Sequence, residues 1–221
     1  MSAVWGIQTP MRSPTLLLLA VLLSGCYHEH RSDVAAIYTV PESVAELADE
    51  HFLDHPLPSD VRRDADGSVR YLGFHNPRNS ATVAELVSAT EGLFDGFSPV
   101  GAGYLRFDGP VDANTLPKTP LESLEARASV QLIDVDPSSP DVGTRRLIDT
   151  SFRAEAGNYT LANTLRWMPT LGFPLRPATQ YALVVTTSLR SHDGGSVVPN
   201  EELRQVLGLA AATGRHEKLR A

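Results

Sequence analysis

The sequence predicts a mainly β chain, an antiparallel β-sandwich with short flanking helices, and three observations carry that prediction. Between Gly103 and Thr187 the apolar residues come in short runs separated by Gly, Pro, Asp and Ser, the texture of strands joined by frequent turns. The clearest run, Gln180-Tyr181-Ala182-Leu183-Val184-Val185, alternates so that Tyr181, Leu183 and Val185 share one face, as a strand lying on a core requires. Helical spacing is confined to short segments on either side of this region, and no internal repeat or low-complexity tract interrupts it. With 42% hydrophobic and 20% charged residues in 221, the chain sits in the globular range, which excludes wholesale disorder, a collagen and a multi-span membrane protein.

The first element is an address. Arg12 precedes an apolar run from Leu16 to Leu23, and small residues follow, the order of a secretory signal. The run reaches about 12 Å as a helix and cannot cross a hydrocarbon core of about 30 Å. Met11 stands where such a signal would start, so residues 1–10 read as an upstream extension. Leu23-Ser24-Gly25-Cys26 resembles the lipobox of bacterial lipoproteins, in which the thiol is joined to diacylglycerol and the peptide is then cut before the cysteine. The resemblance implies a signal peptide over 1–25 and lipidation at Cys26, the single cysteine of the chain. Two or more acyl chains hold a protein stably at a bilayer without spanning it. Tyr27, rather than Asp, follows the cysteine, which by resemblance to sorting in Gram-negative bacteria implies the outer membrane.

Residues 26–40 read as a tether, polar at first and without a sustained period. Pro41-Glu42-Ser43 opens an amphipathic helix of two to three turns with Val44, Leu47 and Ala48 on one face. Pro56 and Pro58 then force an extended path. Asp64-Ala65-Asp66-Gly67 is a turn signal ahead of a strand over Val69–Phe74; it is a fragment of a calcium loop, but the closing carboxylate is missing. Asn79-Ser80 caps a helix to about Phe94 with Val83, Leu86, Val87 and Leu93 at helical spacing. Residues 41–98 thus form a mixed helical and extended subdomain. Strands are expected over 103–107, 129–135, 146–152, 159–168 and 180–187 within a sandwich spanning 99–199, with a tight turn at Asp193-Gly194-Gly195. A final helix, 200–221, carries Leu203, Val206 and Leu207 on one stripe, and its charged end reads as an unfinished helix.

The strand region has a family likeness. Phe107-Asp108-Gly109-Pro110-Val111-Asp112-Ala113-Asn114-Thr115-Leu116 resembles the opening strand and turn of bacterial Ig-like domains of envelope proteins. Pro174-Leu175-Arg176-Pro177-Ala178-Thr179-Gln180-Tyr181 resembles the approach to a later strand in that family. The resemblance covers about Gly103 to Val198 and implies an Ig-like sandwich, with no ligand attached to it. Pro56-Leu57-Pro58-Ser59-Asp60 and Leu93-Phe94-Asp95-Gly96-Phe97-Ser98, taken with the Ig-like part, resemble the amino-terminal region of large secreted or outer-membrane bacterial lipases, ahead of their α/β-hydrolase domain.

Chemistry is sparse. Nineteen basic against 26 acidic residues, with no long basic run, argue against a nucleic-acid partner, and removing 1–25 takes away Arg12 and no acid. An acidic body of this kind is not drawn to anionic lipid, so attachment must come from the acyl chains. One cysteine excludes an intrachain disulfide framework and multi-cysteine metal centres. His28 and His30 lack a third ligand nearby, and Pro56 breaks the helix on which His51 and His55 would share a face. There is no Gly-x-Ser-x-Gly nucleophile elbow. Trp167, Tyr159 and Phe173 could form a glycan platform, but aromatics of a sandwich belong first to its core. No catalytic residue, metal or cofactor is expected. The expected role is a lipid-anchored envelope protein whose Ig-like domain is a structural or interaction module for a protein or glycan. The alternative is the amino-terminal fragment of a larger envelope hydrolase.

Overall fold

Which faces carry apolar residues decides how the strands pair. The computed structural model describes residues 31–212 and Gly214, and among them eight strands form. They are β1 (Val34–Ala36), β2 (Gly103–Arg106), β3 (Val130–Asp134), β4 (Arg145–Arg146), β5 (Ile148–Arg153), β6 (Thr164–Pro169), β7 (Tyr181–Val185) and β8 (Val197–Pro199). β2, β6 and β5 make one antiparallel sheet, with Leu105 and Phe152 both opposite Leu165. β4, β3 and β7 make a second, with Val130 opposite Val185 and Leu132 opposite Leu183. β1 and β8 form a parallel ribbon, Val34 opposite Val197.

The inner faces share one core. Leu105, Ile148, Leu165 and Trp167 from the first sheet meet Val130 and Leu132 from the second, with Val34, Ala36 and Phe107 completing the cluster and Tyr181, Leu183 and Val185 packed on it. The protein is a mainly β chain, an antiparallel β-sandwich, and the half-buried β7 packs against the core with the side its alternation predicts. Each such Leu, Val or Phe is worth about 1.5–3 kcal/mol relative to exposure. Trp167 lies directly across Gly103, and a Cβ there would sit 2.2 Å from the indole. Only glycine lets that ring close over β2.

Residues 41–98 lie within the one compact unit that begins at Arg31. A second, smaller core of Phe52, Leu53 and Leu161, with Leu57, Phe74 and Tyr104 against it, joins this segment to the outer side of β2. The helix α1 (Ala81–Thr90) starts where predicted, with the Ser80 hydroxyl accepting from Val83 N–H. It ends short of Phe94 because Glu91 turns extended, its carboxylate accepting Tyr71 N–H at 2.6 Å and pairing with Arg70. Its expected stripe is not buried, and Leu86 and Leu93 are 64% and 65% exposed.

Four expectations need correction. The tether does not extend through residue 40, since Val34–Ala36 is a strand and Val34, Ala36 and Val40 are buried; its first residues, 26–30, lie outside the described chain. The helix after Pro41 is two short 3-10 turns, Val44–Glu46 and Asp49–His51, interrupted where Asp49 takes φ 52° and donates its N–H to the Gly73 carbonyl. Leu47 is buried nonetheless, with Val44 and Ala48 half-buried, so the expected apolar face forms without the expected helix. The strand over Val69–Phe74 is a single bridge between Val69 and Arg63, because its backbone donors go to Phe94, Arg62 and the Glu91 side chain. The last helix, α2 (Glu201–Val206), is capped by Asn200 and stops at Gly208, φ 75°; residues 215–221 lie outside the described chain.

Candidate functional site

The residues assigned to lipid attachment, Leu23, Ser24, Gly25 and Cys26, lie outside the described residues, as do His28 and His30. Among the described residues no helix is long and apolar enough to cross a membrane. What the structure does place is the segment that follows. From Asp33 to Val40 every residue is tied to another part of the body. Asp33 Oδ1 accepts Ser196 N–H, Val34 N–H donates to the Ser196 carbonyl, and Ala35 exchanges hydrogen bonds with Asp108. Ala36 pairs with Pro199 on one side and Phe107 on the other. Ile37 N–H donates to Arg106, the Tyr38 carbonyl accepts from Asn200, Thr39 N–H donates to Asp54, and Val40 N–H donates to Glu202 Oε2 at 2.6 Å.

Beside this segment is a buried polar pair that sequence reasoning missed. His55, 1% exposed, donates from Nδ1 to the Thr39 carbonyl at 2.8 Å, and its Nε2 accepts the Ser59 hydroxyl at 2.7 Å. That network fixes the neutral tautomer. Tyr38 packs over the ring, centroids 4.5 Å apart. Burial pushes the imidazole down to about 4, with the Thr39 bond opposing and Arg62 adding to it. The spacing His55-x-x-x-Ser59 around two prolines was the only signal in the sequence.

A serine on an imidazole invites a nucleophile reading, and the geometry argues otherwise. A base depressed to about 4 takes a hydroxyl proton poorly near neutral pH. Its second nitrogen faces a backbone carbonyl, which cannot balance an imidazolium as a carboxylate does. Ser59 also caps a 3-10 turn, accepting Val61 N–H. The pair is a clasp between the Tyr38–Thr39 and His55–Ser59 segments.

Arg62 is a second buried group. It is fully buried, donates to the Phe52 carbonyl at 2.6 Å and the Leu47 carbonyl at 3.4 Å, and lies 4.0 Å from the Phe52 ring centroid. Burial pushes it down to about 10, with Glu91 opposing. It stitches the two 3-10 turns to the small core.

Asp134 is the buried charge of the sandwich, at the inner end of β3. Burial works against its ionised form, but the Ser139 hydroxyl at 2.7 Å and Arg146 at 2.8 Å outweigh it and hold the carboxyl below the usual range. Arg146 also reaches Asp141, which Arg176 and Arg146 hold low in turn. Arg146 serves both carboxylates through one guanidinium nitrogen, while its Nε is buried without a hydrogen-bond partner. Asp64 and Asp66 form the predicted turn, with Gly67 at φ 89° and Asp66 accepting Ser68 N–H and hydroxyl.

Of the aromatic trio, Trp167 is in the core, whereas Tyr159 and Phe173 are exposed. A cleft of about 470 Å³, bordered by Thr115, Lys118, Glu122, Glu125, Arg127 and Ser129, mixes both charge signs. Leu171, 83% exposed, and Phe173, 59%, are exposed apolar side chains of the loop after β6, with Val100 at 56% on the segment that Leu175 N–H bonds through the Pro99 carbonyl. The β2–β6 register puts these loops at the end of the sandwich away from Val34. The chain matches no protein-family model, no curated protein and no solved structure.

Proposed function

We propose that this chain is a lipid-anchored cell-envelope protein, held at a bilayer through acylated Cys26, whose Ig-like sandwich is a structural or interaction module without chemistry of its own. The observation that carries the reading is the sequence Leu23-Ser24-Gly25-Cys26 after an apolar run, with the only cysteine of the chain at the lipidation position. The acidic composition supports attachment by acyl chains rather than by a basic face. Tyr27 favours the outer membrane of a Gram-negative cell. The exposed Leu171 and Phe173, at the end of the sandwich away from Val34, suit a module that meets a partner.

Fractionation tests this reading. The wild-type chain pellets with membranes through a high-salt and carbonate wash, and Cys26→Ala releases it to the soluble fraction; equal distribution of the two overturns the proposal. A second reading, an amino-terminal region of a larger envelope hydrolase, is favoured by the order of Pro56–Asp60, Leu93–Ser98 and the Ig-like motifs. A reading frame continuing downstream into Gly-x-Ser-x-Gly would select it.

A further inference from the structure

Among the described residues the first and last strands lie side by side and run the same way. In the β1–β8 ribbon Val34 faces Val197 and Ala36 faces Pro199, so the chain enters β1 at one end and leaves β8 at the other. Tension between the two termini therefore slides the strands past each other, and their hydrogen bonds share the load. Tension applied to both strands from one end would open those bonds one after another.

The segment is held on its other side as well. Ala36 bridges Phe107 in antiparallel register, Ile37 N–H donates to Arg106, and Asp108 N–H donates to Ala35 while its carboxylate accepts Ala35 N–H. A pull on residue 33 along the strand shears this contact too. Further along, Asn200 on Tyr38 and Glu202 on Val40 fasten the start of α2 to the same segment. Two close approaches keep it in place: a Cβ on Gly195 would lie 2.3 Å from the Ser32 carbonyl oxygen, and one on Gly109 would lie 3.0 Å from Val34.

We propose that residues 33–40 are a load-bearing strap, which resists tension between an anchored amino terminus and the carboxy-terminal side of the body by shear against β8 and residues 106–108. Its use in the cell rests on the anchoring reading above; its mechanics do not. Rupture under load is a rate process, set by how many bonds must break together in the transition state.

Single-molecule pulling on the full chain tests it, with Cys26→Ser removing the native thiol. In one geometry the handles are on the two termini. In the other, one handle is on the amino terminus and one on Asp193→Cys, an exposed turn position preceding β8. The strap predicts a single high-force rupture in the first geometry and a distinctly lower force in the second. Asp33→Ala with Asp108→Ala lowers the first force. Equal forces in the two geometries, or β8 and α2 peeling away at low force in the first, overturn the strap. An unacylated Cys26 in cells would overturn the anchoring while leaving the force contrast intact, so the two failures are distinguishable.

Discussion

Lowering the pH should loosen this protein through one side chain. His55 has its folded value depressed to about 4 from an ordinary 6.5 by burial, so the folded state holds the neutral ring while the unfolded chain binds a proton below 6.5. Its contribution is complete above pH 6.5 and disappears as the pH falls towards 4. A gap of that size corresponds to about 3 kcal/mol over the whole window, and about 2 kcal/mol of it is lost by pH 5. The groups facing His55 are Tyr38, the Thr39 carbonyl, Ser59, Arg62 and Glu202, and none of the carboxylates held low in the Asp134 network lies among them. His51 acts in the opposite sense. Its value is raised by a hydrogen bond to Asp54, so it stabilises below 6.5 and loses that effect as the pH rises, but it is exposed and screened. Urea unfolding at constant ionic strength, stepped from pH 7.5 to 5, measures the loss. A His55→Asn variant is less stable at pH 7.5 but loses most of the slope. An unchanged slope in that variant, or a His55 ring resonance titrating near 6.5 in the native protein, would refute the reasoning.

Two further outcomes follow from packing. Gly103→Ala places a methyl 2.2 Å from Trp167, an overpacking that should cost about 1–3 kcal/mol and shift the tryptophan emission; a variant as stable as wild type would mean that the ring does not lie on β2. Ser59→Ala removes a cap and the His55 bond, lowering stability by about 1 kcal/mol in chemical denaturation, while a fluorophosphonate probe leaves the wild-type serine unlabelled. A covalent adduct on Ser59 would show that the clasp is a nucleophile after all.

How far the sequence was legible depended on where each segment finds its partner. Tyr181, Leu183 and Val185 announce their face by period alone, because a half-buried strand needs nothing else. The Asp112–Leu116 motif was readable for a local reason: Asp112 caps Asn114 N–H, and the Thr115 hydroxyl bonds back to the Asp112 carbonyl. Val34–Ala36 was not readable, since a strand this short has no period and its partner, Val197–Pro199, lies far along the chain. Val69–Phe74 had strand composition but no partner strand, and side-chain acceptors took its donors. His55, Ser59 and Arg62 carry no pattern beyond the His55-x-x-x-Ser59 spacing, because their role depends on carbonyls at Thr39, Phe52 and Leu47 that only the folded chain brings near.

Mass spectrometry of the amino-terminal peptide from cells expressing the native chain tests the central claim most directly. The account predicts that the peptide begins at Cys26 and carries diacylglycerol on its sulfur. A peptide that begins elsewhere, or a Cys26 with a free thiol, would contradict it.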